Sequence, residues 1–301
     1  MSKKKSLFGW LFFFVFVTVV AFLATTWLLP KESTKLEQAT AEKVQASNQK
    51  TSIQYVAIGD SLTQGVGDET QQGGFVSLVA DKLKDQYDLA TVHAQNEGVA
   101  GERSDQILKR INQDEALQKE ISEADFITAT FGGNDLLKVI QKNILSLSVK
   151  TIENSEASYQ KNSLALLERI RELNPTAPVY ILGIYNPFYL NFPEITALQT
   201  VVDNWNEATE EVVDDQSNMY FIPINDLLYK GVDNKVGITK TSDSETSSTS
   251  ETTSDETSGT VENNALYEGD KFHPNAIGYQ LMAKVVKDEL VKTKSHWLIK
   301  E

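Results

Sequence analysis

The chain has 301 residues, 41% of them hydrophobic, with no cysteine and a formal net charge of -14 at pH 7. The lack of cysteine excludes disulfides, thiolate metal sites and a cysteine nucleophile. The acidic balance argues against a nucleic-acid partner, because binding of a phosphate backbone requires clustered Lys and Arg.

The first part of the chain predicts a membrane anchor. A short basic segment, residues 1–6, precedes an uncharged apolar run at residues 7–29, which as a helix is long enough to cross a bilayer core of ~30 Å. Trp10 and Trp27 lie near its ends, where aromatic rings favour the membrane interface. Because lysines stay on the cytoplasmic side, we expect a single-pass protein whose remaining chain lies outside the cytoplasm. The alternative is a cleaved signal peptide and a secreted protein.

Beyond the anchor, the sequence predicts one folded domain after a polar linker. Residues 30–52 are polar and lack apolar periodicity, as in a linker. Residues 53–295 alternate short β-rich runs with amphipathic stretches, and residues 296–301 follow as a tail that we expect to be mobile. An acidic tract rich in Ser and Thr, residues 238–262, interrupts the domain and is expected to be a disordered surface insertion.

The alternating pattern predicts a doubly wound α/β fold. The strand candidates are five β-rich runs, at Tyr55–Ile58, Ala90–Ala94, Phe126–Phe131, Val179–Ile184 and Tyr220–Pro223. Apolar residues at helical spacing form stripes between and after them, at Phe75, Val79, Leu83 and Tyr87, at Leu166, Leu167, Ile170 and Leu173, at Ile195, Leu198, Val202, Trp205, Thr209 and Val212, and at Ile277, Leu281, Val285 and Val286. We therefore expect a three-layer, flavodoxin-like domain around a parallel five-stranded sheet, preceded by one transmembrane helix.

Four short blocks mark one edge of the predicted sheet. Gly59–Leu62, Asn96–Gly101 and Gly132–Asp135 follow the first three strand candidates, and Asp270–His273 precedes the last helix. Ligands of an open parallel sheet bind outside the carboxyl ends of its strands. The first three blocks are therefore expected to converge, although they are far apart in the chain.

Together these blocks contain the parts that acyl transfer needs. Ser61 offers a hydroxyl at a strand-to-helix turn, but a serine is a poor nucleophile until a base takes its proton. His273 is the natural base, and Asp270, three residues earlier, can hold the imidazole in the required tautomer. The backbone N–H groups of Ser61 and Gly101 and the side-chain amide of Asn134 can donate to a developing oxyanion.

Other polar residues near these blocks are predicted to be structural. Asp60 is expected to bond backbone in the turn, and Asp135 to cap the helix that follows Asn134. His93 falls in a strand candidate, and His296 lies in the predicted tail. No metal site is predicted, because ligands at metal spacing are not found.

An aromatic cluster follows the fourth strand candidate. Tyr185, Phe188, Tyr189 and Phe192 lie in the segment IYNPFYLNFP, which also leaves a carboxyl strand end. One interpretation is a packed loop. The other is an apolar wall of a substrate pocket, formed by Tyr185, Phe188 and Tyr189.

The four blocks, which read IGDSLTQG, NEGVAG, FGGND and DKFHP, resemble the motifs of the GDSL, or SGNH, hydrolase family. They occur in that family's order across roughly residues 53–293. The resemblance implies the flavodoxin-like fold of SGNH hydrolases and hydrolysis of esters or lipids, with no metal or organic cofactor. It implies Ser61 as nucleophile and oxyanion donor, Gly101 and Asn134 as the other donors, and Asp270 with His273 as the rest of a catalytic triad. The anchor and the acidic insertion depart from the pattern and suggest a membrane-anchored bacterial member.

The sequence therefore predicts an extracytoplasmic serine carboxylester hydrolase of the lipase or acylhydrolase type, which works through an acyl-serine intermediate. Its expected partners are the membrane and an ester-containing lipid or small envelope molecule. One alternative is an O-acetyl esterase or acetyltransferase that acts on envelope polysaccharide, because that chemistry uses the same triad. A second is a non-catalytic envelope scaffold that keeps the fold.

Overall fold

The computed structural model describes residues 48–143, 149–187, 196–229, 237–238, 261–262 and 264–300, together with Thr18. The predicted anchor at residues 7–29 and most of the acidic insertion lie outside these residues. The chain divides into the units Met1–Gln49 and Lys50–Glu301, and every element named below belongs to the second. In the described ranges, no helix combines the length and the apolar character needed to cross a bilayer.

A five-stranded parallel sheet forms the centre of the domain. Its strands are β1 (Ser52–Gly59), β2 (Thr91–Gly98), β3 (Phe126–Thr130), β4 (Val179–Leu182) and β5 (Met219–Ile222). They pair in the order β2-β1-β3-β4-β5, and every pair is parallel. This confirms the predicted flavodoxin-like sheet, whose switch point lies between β1 and β3.

Helices cover both faces of the sheet. They are α1 (Ser61–Gln64), α2 (Gly74–Tyr87), α3 (Ser104–Gln113), α4 (Glu115–Glu123), α5 (Gly133–Lys142), α6 (Val149–Leu173), α7 (Thr196–Asp214), α8 (Asn225–Tyr229) and α9 (Ala276–Lys292). Helices α2, α8 and α9 share one apolar core with Tyr55 and Ala57 of β1, and α3 to α7 share the other with Val56 and Ile58. The period of two in β1 thus separates two cores, as the predicted three-layer architecture requires.

Strand β2 is longer than its sequence indicated. The prediction ended it at Ala94, but the strand continues to Gly98 because β1 pairs with it along its whole length, up to Gly59 opposite Gly98. The additional residues are polar and partly exposed, as an edge strand allows. The block Asn96–Gly101 therefore begins inside the strand and not after it.

Helix α9 buries a different stripe from the predicted one. Ile277 is 45% exposed, whereas Tyr279, Met282, Val286 and Leu290 are fully buried. The close packing of Gly278 decides this orientation, because a Cβ there would lie 2.3 Å from the carbonyl oxygen of Ala265. The prediction for Ile277 was therefore wrong, whereas Val286 of the same predicted stripe is fully buried.

The predicted mobile tail is packed against the domain. A 3₁₀ turn at Lys294–His296 follows α9, and Trp297 and Leu298 after it are buried. The Trp297 indole N–H donates to the Leu290 carbonyl at 2.9 Å, and its ring meets Phe126 edge-on with centroids 5.4 Å apart. The prediction of a tail from residue 296 was therefore wrong, because a large aromatic side chain completes one core.

The ends of the acidic insertion are joined by a short β-ladder. Strand β6 (Gly237–Ile238) runs antiparallel to β7 (Val261–Glu262), with Gly237 opposite Glu262 and Ile238 opposite Val261. Residues 238, 261 and 262 of the predicted disordered segment are therefore ordered in a strand. This two-stranded clasp closes the loop that contains the rest of the insertion.

We predict that the insertion can be removed without loss of stability. Replacement of residues 239–260 by Asn-Gly, which favours a two-residue hairpin turn, keeps the clasp and shortens the closed loop. Closing a shorter loop costs less conformational entropy, so the free energy of unfolding should rise by up to about 2 kcal/mol. Urea unfolding of both proteins measures the difference. A loss of stability would show that the insertion packs on the domain.

Candidate active site

The turn that carries Ser61 is fixed by its neighbours on both sides. Asp60 caps α1, because its Oδ1 accepts the Leu62 N–H at 3.0 Å, and Gly65 ends the helix in the left-handed conformation. Ser61 is thus the first residue of a one-turn helix. Among the described residues, its N–H group donates to no protein acceptor, as is usual for a first helical N–H.

A buried polar network ties this turn to the end of β3. The Thr130 hydroxyl lies 2.8 Å from both the Asp60 carboxylate and the Thr63 hydroxyl. Gly59 makes this approach possible, because a Cβ there would lie 2.3 Å from Thr130 Oγ1. The predicted structural role of Asp60 is confirmed, although its main partner is a side chain of another strand. Burial raises the pKa of Asp60, and the hydrogen bonds from Thr130 and Leu62 oppose that shift.

The structure brings Ser61, His273 and Asp270 into one chain of hydrogen bonds. His273 Nε2 lies 2.9 Å from Ser61 Oγ, across 212 residues of sequence. On the other side of the ring, His273 Nδ1 lies 2.6 Å from Asp270 Oδ2. This is the geometry in which a carboxylate orients an imidazole and the imidazole takes a proton from a hydroxyl.

Local backbone bonds hold the loop that carries Asp270 and His273. Asp270 Oδ1 accepts the Phe272 and His273 N–H groups at 2.9 and 3.0 Å. Tyr267 closes the loop, since its N–H donates to the His273 carbonyl and its carbonyl accepts the Lys271 N–H. Lys271 itself has a φ of 51°, a conformation that non-glycine residues adopt rarely. Such a loop holds the imidazole in one place.

The Asp270 carboxyl is stabilised in its ionised form. Partial burial by itself raises its pKa, but the hydrogen bonds from the His273 side chain and from the two backbone N–H groups outweigh this effect. The pKa of Asp270 therefore lies below its ordinary value. An ionised Asp270 can balance a positive charge on His273.

Asn134 faces the same cleft as Ser61. This cleft is lined by both residues and by Leu137, Ile184, Pro187 and Phe272. One amide hydrogen of Asn134 goes to the Glu102 carbonyl at 2.9 Å, which leaves a second for an acceptor in the cleft. The structure therefore brings Asn134 together with Ser61.

Gly101 lies at the edge of the site. It is exposed with a φ of 83°, and among the described residues its N–H meets no protein acceptor. The Gln64 side chain accepts the Ala100 N–H at 2.8 Å, and Asn96 donates to the Thr63 carbonyl at 2.8 Å, so this loop is held against α1. In the described part of the chain, Gly101 is not one of the residues that line the cleft.

Asp135 caps a neighbouring helix and not its own. Its carboxylate accepts the Ser104 N–H at 3.0 Å and the Ser104 hydroxyl at 2.6 Å, at the start of α3. Gly132 precedes α5, in which Asp135 lies. The prediction of a cap for α5 was therefore wrong, because the carboxylate in the first turn of α5 bonds to the start of α3 instead.

Tyr185 contacts the site through both its ring and its hydroxyl. Its ring lines the cleft, and its hydroxyl donates to the carbonyl of Phe272, the residue before His273. Burial raises the pKa of Tyr185 well above its usual value, which keeps the hydroxyl a donor. Phe188 and Tyr189, predicted as parts of the same wall, lie outside the described residues.

Sequence reasoning missed several residues that hold the site. Thr130 could have been noticed as the last residue of β3, directly before the block Phe131-Gly132-Gly133. Tyr279, whose hydroxyl donates to the Val66 carbonyl at 2.6 Å, gave no such signal, because its partner is 213 residues away. Leu137 lies on the apolar side of α5, which helical spacing could have indicated.

The fold and the comparison with known families together identify the chain as a carboxylester hydrolase. The profile of the GDSL-like Lipase/Acylhydrolase family matches residues 57–281, and the chain belongs to that family. This confirms the family resemblance of the four sequence blocks.

Relatives agree with this assignment. The chain is 32% identical over 276 residues to the uncharacterized protein YpmR of Bacillus subtilis (strain 168), covering 91% of this chain and 96% of the relative. It is 31% identical over 171 residues to the spore germination lipase LipC of Bacillus licheniformis, covering 53% and 74%. Among solved structures, the lipase Lip_vut3 from a goat rumen metagenome has a TM-score of 0.60 at 24% identity, covers 78% of this chain and 96% of its own, and shares the fold.

The raised pKa of Asp60 predicts how an Asp60→Asn substitution changes stability with pH. The wild-type carboxyl contributes stability that is fully present below the ordinary pKa of Asp and is lost as pH rises through the folded-state pKa. Asn keeps an oxygen acceptor but does not titrate. We expect the free energy of unfolding of the variant, relative to wild type, to rise as the pH increases above about 4, the ordinary pKa of Asp.

Urea unfolding at several pH values measures this difference. Asp85→Asn, a substitution of an exposed residue, is the matched control. A constant difference between Asp60→Asn and wild type over the whole range would contradict the assignment of the shift to Asp60.

Tyr185→Phe separates the anchoring role of the hydroxyl from the wall formed by the ring. Loss of the bond to the Phe272 carbonyl should cost about 1 kcal/mol of stability. Because the loop before His273 loosens, kcat for a p-nitrophenyl ester should fall on the order of tenfold with KM little changed.

Tyr180→Phe is the matched control. Tyr180 is a buried tyrosine whose hydroxyl bonds to Thr293 at 2.6 Å, beyond the far end of α9. The Tyr180→Phe variant should lose similar stability and keep the wild-type kcat. Equal kinetic effects of the two substitutions would contradict a positioning role for Tyr185.

Proposed function

We propose that the protein is a serine carboxylester hydrolase in which Ser61 attacks the substrate and His273 and Asp270 serve as base and orienting carboxylate. The observation that carries this proposal is the hydrogen-bond chain from Ser61 Oγ to His273 Nε2 and from His273 Nδ1 to Asp270. The cleft at Ser61 gives a substrate carbonyl access to that hydroxyl.

In the first half of the reaction, Ser61 Oγ bonds to the carbonyl carbon of the ester while its proton passes to His273 Nε2. The carbonyl oxygen becomes an oxyanion, which the N–H groups of Ser61 and Gly101 and the Asn134 amide stabilise. Collapse of this intermediate breaks the bond to the alcohol oxygen. His273 gives its proton to that oxygen, and the alcohol leaves an acyl-serine behind.

In the second half, a water attacks the acyl carbon and gives a proton to His273. The same donors stabilise the second oxyanion, and its collapse returns the proton to Ser61 Oγ and releases the acid. Ionised Asp270 stabilises the imidazolium in both halves. Loss of one oxyanion donor in such a site typically lowers the rate about a hundredfold to a thousandfold.

We further propose that residues 7–29 anchor the enzyme in the cell membrane, with the hydrolase domain outside the cytoplasm. The uncharged run after a basic amino terminus supports this location. The substrates are then lipid acyl esters or small envelope esters near the membrane surface. O-acetylated envelope polysaccharide is the other substrate class that the same chemistry serves.

Ser61→Ala tests the mechanism. We expect the full chain in detergent to hydrolyse p-nitrophenyl esters from acetate to palmitate, and the variant to lose at least about a thousandfold in kcat. Ser52→Ala, at the other end of β1, is the matched control and should keep its rate. A membrane-impermeant fluorophosphonate applied to intact cells should label the wild type and not Ser61→Ala.

The possible results separate the rival functions. Turnover of acetate alone would favour the O-acetyl esterase. Labelling only after cell lysis would contradict the extracytoplasmic location. A folded wild type with neither turnover nor labelling would contradict the serine hydrolase and favour the scaffold.

A further inference from the structure

A second cavity lies beside the cleft at Ser61, between α5 and α7. We call the two volumes together the acyl path. The wall residues common to both volumes are Gly133, Leu137, Ile184, Tyr185, Pro187 and Phe272. Because the same side chains bound both volumes, the second cavity lies directly beside the space at Ser61.

The far part of the path is apolar. Its wall is formed by Leu136, Ile140, Leu198, Val201 and Val202. The polar side chains there are already bonded within the protein, since the Tyr185 hydroxyl donates to Phe272 and the Asn186 amide donates to Gln199 at 3.3 Å. Water would find few partners in such a space, so the path fits a hydrocarbon chain.

The direction of the path follows from helix α5. Asn134 and Leu137 are three residues apart and Ile140 is three further, so they lie along one side of the helix. A substrate whose carbonyl oxygen is at Asn134 can therefore lay its chain over Leu137 towards Ile140. From Gly133 to Ile140 the helix rises ~10 Å, comparable with the extended length of an octanoyl chain.

The opposite side of α5 is polar. Lys138 and Lys142 line a separate cleft there with Arg103, Asn154 and Asn162. Among the described residues, none lines both this polar cleft and the cleft at Ser61. Helix α5 thus separates a space for hydrocarbon from a space for polar groups.

We propose that the path between α5 and α7 binds the acyl part of the substrate and sets a preference for medium-chain acyl esters, with Ile140 and Leu198 limiting the chain length. This inference rests on the proposed function, because the acyl carbonyl must be at Ser61. Each methylene that enters an apolar cavity favours the transition state, so kcat/KM should rise about fourfold per methylene up to octanoate.

The test uses the full chain in detergent with p-nitrophenyl acetate, butyrate, octanoate, laurate and palmitate. Ile140→Trp and Leu198→Trp fill the far cavity, and each should lower the octanoate-to-acetate ratio of kcat/KM by at least about tenfold. Ile140→Ala enlarges it and should move the optimum towards laurate. Lys142→Trp, on the polar side of the same helix, is the matched control and should keep the wild-type ratio.

A second series distinguishes the acyl part from the alcohol part. Acetate esters of butanol and octanol place the longer chain on the leaving group. Ile140→Trp should not alter their ratio. If it alters that ratio and not the acyl ratio, the path binds the alcohol and the proposal is wrong.

Other results overturn the inference and leave the proposed function intact. They are a wild-type profile that falls steadily from acetate, or an octanoate-to-acetate ratio that none of the cavity variants changes. Lack of all turnover and of fluorophosphonate labelling would instead contradict the serine hydrolase. In that case, direct binding of octanoate tests the acyl path. The proposal requires that the wild type binds octanoate and that Ile140→Trp binds it more weakly.

Discussion

The contact between Asp60 and Thr130 is the constraint on which the site depends. It joins the carboxyl ends of β1 and β3, the neighbouring strands between which the strand order reverses. A side chain at Gly59 would force these ends apart, and the turn that presents Ser61 would lose its cap. Asn134 follows β3 within a few residues, so the same contact also sets the distance between Ser61 and the Asn134 amide. Burial disfavours the ionised form of Asp60, yet this carboxyl lies directly beside Ser61 and helps to fix its position.

The sequence was most informative where pattern and position agreed. The five strands were predicted because β-rich runs alternated with helical stripes, and parallel pairing then required their carboxyl ends to meet at one edge. The convergence of the blocks that contain Ser61 and Asn134 could be predicted on that ground, whereas the place of His273 beside Ser61 rested on the family resemblance. Asp270 followed from its spacing to His273, which is a local feature of the chain.

Contacts between distant parts of the chain could not be predicted in the same way. The partner of Asp135 is 31 residues away and that of Tyr185 is 87 residues away, so nothing in their local sequence indicates them. Ile277 shows a related difficulty, because the buried side of α9 depends on how closely Gly278 approaches Ala265. Propensity and periodicity define elements, whereas their rotation and their caps depend on packing.

The burial of Trp297 has a consequence for the order in which the enzyme is assembled during synthesis. The indole that completes one core follows His273 in the chain, so the ribosome releases both long after Ser61. The turn that carries Ser61 has no imidazole beside it until the chain has been made as far as His273, 212 residues later. Under the proposed mechanism, a nascent chain shorter than this carries the hydroxyl without its proton acceptor, and esterase activity cannot begin before His273 has been synthesised.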